Sequence, residues 1–425
     1  MPRLFVPNVE EALSESDLFY PQIFAATSAK MYPRFLAQLH PGDVYVTPSP
    51  IEPGYGDYMS RILKLGNPKD YIICLNRLSS QPLADIILQD QNIVQRLSQK
   101  CQGEGWSFDS FYQSVRSQRL ADSLHLPTHS TAPELIKKGL IEAYNDKLYF
   151  KRLAKAAGIP TVPGSYAHRS ADIGAKIKRI GKRCRRLMLR KVKYAGGSGN
   201  VAGSPSELIK RLGTWHNAGT VLVEPFLNIN HVAGSLVKIE ENHLEFCAID
   251  RQIIIDGHWR GFVYPFYAPG APAGCERCNV KAIEESAMKL ASLAHQAGVR
   301  GLMNLDWAFT AKHPEQPIAL ECNFRHNGLS YIVSLANSYF GSDWRNLSIA
   351  CREAIPCNFA SFTELHAHLS ALSWRGEKLL IDNPGAERGL IVTNFQPQSE
   401  FSLAIFGPDQ SYLNQVWELL NQSLD

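Results

Sequence analysis

The sequence lacks most features that mark membrane, secreted or nucleic-acid-bound chains. No run of about 18 apolar residues occurs in its 425 positions, so no helical membrane span is expected. The opening residues, MPRLFVPNVEEALSES, hold no apolar core stretch, so a secretory signal is not expected. The nine cysteines are scattered and odd in number, which is no disulfide framework, and a reducing, cytoplasmic setting is the expectation. Only Cys275 and Cys278 have metal-type spacing. A structural zinc needs about four ligands and no second such pair exists, so a plain loop is the expected reading there. Charge is nearly balanced, 44 Lys and Arg against 40 Asp and Glu; a net +4 does not by itself imply a nucleic-acid partner. No internal repeat or low-complexity tract is present. There is no GxxxxGK[ST] phosphate loop, no dinucleotide-type glycine turn leading into a helix, and no G-x-S-x-G elbow for a nucleophilic serine.

What remains is an ordinary globular composition, 45% hydrophobic and 20% charged, long enough for two to four domains. Short apolar runs at 3–6, 43–47 and 71–75 read as strands. Segments 85–100 and 108–124 read as helices, giving a small α/β domain with a parallel sheet. Residues 125–133 read as a linker. Beyond it the pattern predicts a helix over 147–157 closed by Gly158, and strands over 187–191, 220–224 and 234–239. A strand or hairpin is expected over 244–255, a helix over 279–297, and strands over 303–309 and 317–321. The tail, 355–425, alternates strand-like and helical pieces and reads as a small α/β cap.

Three stretches could carry chemistry. Residues 187–200, LMLRKVKYAGGSGN, end a strand in cations and continue into a glycine-rich segment. Glycine lets backbone N–H groups approach phosphate oxygens, and a neighbouring cation neutralises them; a hairpin turn is the other reading. The tract 176–193 around it holds ten Lys or Arg in 18 positions. It reads as a solvated helix face or a nucleic-acid patch, and Tyr194 alone offers little stacking for the latter. Asp306 lies in NLDWAF, and Glu321 and Asn323 end IALECNFRHNG. Residues i and i+2 of a strand share a face, so if the two strands are antiparallel neighbours, two carboxylates and an amide oxygen meet in an all-oxygen site suited to magnesium. Arg325 follows two residues on, within reach of a transferring phosphoryl group. The apolar neighbours Leu305, Trp307, Ala319 and Leu320 favour core strands over a solvated hairpin. The strand 220–224 ends in Glu224 before a proline turn, a backbone able to meet an adenine edge.

The order of these pieces resembles the ATP-grasp superfamily: a helix start at Asn145-Asp-Lys147, a cationic strand and glycine loop, a strand ending in Glu, and an Asp…Glu-x-Asn-x-Arg hairpin. The likeness spans about residues 140–335. The pieces Gly301-Leu-Met-Asn-Leu-Asp306 and Glu321-Cys-Asn-Phe-Arg-His-Asn-Gly328 look most like amino-acid and peptide ligases, and the loop ending is similar to that of pheganomycin-type peptide ligases. The resemblance implies an α/β (α+β) ATP-grasp fold with an N-terminal Rossmann-like pre-ATP-grasp domain, residues 1–125. A small lid subdomain (126–220), a catalytic subdomain (221–355) and a C-terminal α/β cap (356–425) would follow. By the same resemblance Lys147 and Lys191 bind ATP phosphates, with Arg190 and Lys193 competing for the second role, and Gly196, Gly197, Ser198 and Gly199 close over the β- and γ-phosphates. Glu224 and the backbone near Phe226 and Leu227 hold adenine, and His231 either contacts ribose or is structural. Asp306, Glu321 and Asn323 hold Mg2+ or Mn2+. Arg325, with Arg251 as a further candidate, stabilises an acyl phosphate. Two departures stand out: Phe324 occupies a position where relatives often have proline, and Asp306 replaces the commoner Glu.

The implied reaction is attack of a carboxylate on ATP, giving an acyl phosphate and ADP, then displacement of phosphate by an amine. Positioning and charge neutralisation would do the work. The implied partners are a small carboxylate and an amine, such as an amino acid or peptide, with a homodimer as one option and neither a membrane nor nucleic acid expected. The alternatives are an ATP-grasp enzyme with another nucleophile, or a nucleotide-binding regulator without turnover. The acceptor pocket is expected from the first 120 residues and the loop bearing Tyr264, Phe266 and Tyr267, which are either pocket walls or core.

Overall fold

A computed structural model describes residues 1–12, 29–79, 81–192, 199–215 and 219–424. The loop positions Gly196, Gly197 and Ser198, and the competing Lys193, lie outside these described residues.

Four short strands open the chain: β1 (Arg3–Val6), β2 (Val44–Thr47), β3 (Ile72–Cys74) and β4 (Ser107–Ser110). They pair in parallel in the order β3-β2-β1-β4. Buried apolar residues such as Leu4, Phe5, Val6 and Val46 are what a parallel sheet covered by helices requires. Two of the expected helices differ. Segment 108–124 begins as strand β4 alongside β1, and its helix starts only at Val115, where Ser114 and Ser117 close a capping box. Segment 85–100 splits at Asp90, whose side chain accepts the N–H groups of Asn92 and Ile93 and so starts a second helix, Gln91–Lys100.

A second, antiparallel sheet follows: β5 (Ser165–Ala167), β6 (Leu187–Lys191), β7 (Asn200–Gly203) and β8 (Val221–Pro225), in the order β5-β8-β6-β7. It has its own small core of Ala167, Ile173, Ile177, Leu187, Leu189, Leu208, Val221 and Val223. The sheet therefore runs through Pro225, five residues past the expected lid boundary.

The third sheet is the largest among the described residues. Its strands are β9 (Ile229–Ile239), β10 (Leu244–Ile255), β11 (His258–Tyr264), β12 (Gly301–Thr310), β13 (Ile318–Asn323) and β14 (Ser348–Pro356). After the two-residue pair β15 (Ser373–Trp374) and β16 (Glu377–Lys378), it takes in β17 (Gly389–Gln396) and β18 (Glu400–Gly407). The order is β13-β12-β9-β10-β11-β14-β18-β17. The C-terminal residues thus extend the central sheet through the β14–β18 pairing. Helix Val280–Gln296, capped by Asn279, lays Ile283, Ala287, Leu290, Ala291 and Ala294 on β9 and β10. One continuous apolar core links the first domain, this sheet and the C-terminal strands.

Candidate active site

Register across the large sheet assembles the site. Asp250 on β10 stands opposite Gly234 on β9, Gly234 opposite Asp306 on β12, and Asp306 opposite Glu321 on β13. Asn304 stands opposite Asn323. Because side chains two apart on a strand share a face, Asn304, Asp306, Glu321, Asn323, Asp250 and Gln252 project to one side. The antiparallel neighbourhood expected for Asp306 and the Glu-x-Asn pair is what the structure contains.

Asp306 is gripped by carboxamides. Its Oδ1 accepts from Gln252 Nε2 at 2.7 Å and from Asn304 Nδ2 at 3.2 Å, and its Oδ2 from Asn323 Nδ2 at 3.0 Å. Burial first, and the neighbouring charge of Glu321 second, push its pKa up. Glu321 goes the other way. Burial alone would raise it, but Lys147 and then Arg190 outweigh burial and hold the carboxyl ionised. Lys147 Nζ lies 3.1 Å and Arg190 Nη2 2.7 Å from the same oxygen, Oε2.

Lys147 owes its place to the start of helix Lys147–Ala156. Asp146 caps the helix by accepting the N–H groups of Leu148 and Tyr149, which aims the first side chain at β13. Arg190 comes from β6 of the small sheet and also stands 3.7 Å from Glu224, which in turn pairs with Lys151. Strand alternation turns the two β6 cations to opposite faces. Arg190 shares its face with Met188 and lines the cavity, whereas Lys191 shares the face of Leu187 and Leu189, which pack the small core.

Arg325, just past β13, is held by Asn145. One oxygen, Asn145 Oδ1, accepts from Arg325 Nη1 at 3.0 Å and from the Phe324 N–H at 2.9 Å, while Nδ2 donates to the carbonyls of Ile141 and Phe324. Phe324 replaces the proline common at this position in the resembled family, and its N–H is what a proline would lack.

A cavity of about 900 Å3 is lined by Arg190, Glu224, Phe226, Leu227, His231, Asp306, Glu321, Asn323 and Arg325 among others. Gly199 stands just before β7, where its carbonyl accepts the Lys191 N–H. Two predicted residues point elsewhere. Arg251 lies between Asp250 and Gln252 and so projects to the opposite face, where its Nη2 donates to Gln410 of the C-terminal region at 2.8 Å. His231 lies on that same far side, its ring 6.4 Å from that of Phe266 and in contact with Cys275. Both touch the cavity rim, but neither joins the Asp306 group. Phe266 is core, and Tyr264 packs on Trp344. Cys275 and Cys278 are both buried in a short turn, and no metal-type cluster of His, Cys, Asp and Glu occurs among the described residues.

Sequence reasoning missed Asp250, Gln252, Lys151 and the clasp made by Asn145. Asn304 had a signal, two residues before Asp306 on one strand; the others depend on register between distant segments.

Residues 32–126 match the family model of the Pre ATP-grasp domain. Among solved structures, the chain is similar to N5-carboxyaminoimidazole ribonucleotide synthetase in complex with ADP (TM-score 0.59, 10% identity, covering 100% of this chain and 98% of that one). It is similar to the N5-carboxyaminoimidazole synthase of Aspergillus clavatus in complex with ADP and 5-aminoimidazole ribonucleotide (TM-score 0.60, 11% identity, 99% and 98%). It is also similar to an L-amino acid ligase of Bacillus licheniformis (TM-score 0.55, 13% identity, 99% and 97%). No curated protein matches the sequence. The chain has the ATP-grasp fold, preceded by a pre-ATP-grasp domain.

Proposed function

We propose that this chain is an ATP-dependent ligase that activates a carboxylate as an acyl phosphate for attack by an amine, releasing ADP and phosphate. One observation carries the reading: Asp306, Glu321 and Asn323 converge on one sheet face beside Lys147, Arg190 and Arg325, in a cavity of an ATP-grasp fold. The names of the similar structures, a synthetase, a synthase and an L-amino acid ligase, lend support, and four of the similar solved structures hold ADP or ATP.

The donor set fits a hard divalent cation. Asp306, Glu321 and Asn323 offer oxygens from facing register positions, and Mg2+, or Mn2+, held there would neutralise charge on the phosphates. Lys147 and Arg190 take the phosphates in this reading. Lys191, on the other face of β6, is the second choice. Glu224 with the backbone of Phe226 and Leu227 receives the adenine, and His231 borders the ribose end. Arg325, positioned by Asn145, meets the charge that develops as the phosphoryl group passes to the substrate carboxylate. Arg251 acts at most on the cavity wall.

The test is phosphate release from magnesium ATP with pools of amino acids and dipeptides, beside an Asp306→Ala/Glu321→Ala double variant. Release that requires both the added carboxylate and the two acids supports the reading. Absence of any nucleotide binding by the unaltered protein refutes it.

A further inference from the structure

One carboxylate in the polar row has no part in holding metal or phosphate. Asp250 is 2% exposed, yet it borders the cavity. Gly234, between it and Asp306, has no side chain, and Asp250 leans into that space: a Cβ at 234 would lie 2.9 and 3.1 Å from its two oxygens. Its Oδ1 accepts the Gly234 N–H at 2.9 Å, and among the described residues this is its only hydrogen bond, leaving Oδ2 without a donor. The cations of the site gather at the other end of the row, on Glu321. Three strand spacings separate the two ends, roughly 14 Å. A buried acid with a free oxygen and no cation on its own face calls for a positive ligand. Burial, and then Asp306, raise its pKa against the pull of the Gly234 N–H and of the Arg251 charge on the opposite strand face, a penalty that an ammonium on its own face would relieve.

The surroundings narrow the ligand. On the same cavity wall, Ile254 pairs across the β10–β11 hairpin with Trp259. The Trp259 ring sits directly on Gly328, where a Cβ would come within 2.3 Å of it, and Leu329 continues the apolar surface. An apolar wall therefore adjoins the lone acid.

The geometry points to Asp250 as the residue that receives the ammonium group of the amine co-substrate, a primary amine with an apolar body lying along Ile254, Trp259 and Leu329. This rests on the ligase reading, and names the class of its second substrate.

The experiment separates the two. Pooled N-acetyl amino acids supply carboxylates without amines. At about pH 7 hydroxylamine is largely uncharged and traps acyl phosphate as hydroxamate, whereas L-leucinamide, largely protonated there, supplies an ammonium on an apolar body without a carboxylate. The wild type is expected to form both hydroxamate and the leucinamide adduct. In Asp250→Asn, with ATP affinity measured as the check on folding, the KM for leucinamide is expected to rise at least about tenfold while that for hydroxylamine moves less than about twofold. Equal effects on both nucleophiles, or on neither, overturn the assignment. So does a wild type that forms hydroxamate but never couples leucinamide. A wild type that forms no hydroxamate fails the ligase reading itself, and the assignment falls with it.

Discussion

Asn145 carries more of the site than its size suggests. Its carboxamide reads both backbone groups of Phe324 and fixes the guanidinium of Arg325, so the reach of Arg325 depends on a residue nearly two hundred positions upstream. Displacing a catalytic group by about 1 Å can cost about a hundredfold in rate. Asn145→Ala is therefore expected to lower kcat by about ten- to a hundredfold while nucleotide affinity changes less than about threefold. Full turnover by the variant would remove Asn145 from that role. At this scale the sequence was legible where spacing alone sufficed. Glu321 and Asn323 share a face because they lie two apart, and Asp306 faces them because the hairpin is short. It was not legible where alternation had to be anchored: whether Arg190 or Lys191 enters the cavity depends on which face of β6 meets the small core, and Arg251, a candidate by resemblance, is turned by its strand parity to the far face.

Local elements were mostly readable from caps and periodicity, and failures came where a cap was overlooked. Asp90 and Ser114 both start helices that seemed continuous with what preceded them. Another cap has an energetic consequence. Glu10, buried in the first 3-10 turn, accepts the Leu83 N–H at the start of helix Leu83–Gln89 and the Tyr32 hydroxyl. Burial raises its pKa from 4.5 to about 7. The native state thus holds this proton more tightly than the unfolded chain. The associated stability is present in full below about pH 4.5, declines as pH rises, and is gone once pH passes about 7. The difference in unfolding free energy between wild type and Glu10→Gln should fall by on the order of 3 kcal/mol across that window, measured by urea denaturation at each pH. A flat difference would mean that Glu10 titrates as an ordinary solvated acid.

Across the molecule the architecture was legible as an order of parts, and its seams were not. The parallel first sheet and several central strands, with the hairpin of Asp306 and Glu321, were expected, but the tail reads as a cap only until β18 is seen to pair with β14. The real seam lies elsewhere, around the small sheet, whose core is separate from the one that joins the rest. Separate cores open separately. Amides of β6 and β8 are expected to exchange with solvent through a partial opening of lower free energy than amides of β9 and β12. Magnesium and ATP together should protect the first pair selectively. Uniform exchange across all four strands would show one cooperative unit instead.

The pairing of Arg190 with Glu321 spans that seam, one partner rooted in the small sheet and the other in the large. The acid proposed to hold the metal is thus also a bolt between two sheets with separate cores. Were phosphate to claim the arginine and a metal the glutamate, as proposed, the direct tie would be exchanged for one that runs through the nucleotide itself. Under the proposed reaction the substrate would then become a structural member of the protein, and its conversion to ADP and phosphate would dismantle the joint that held it.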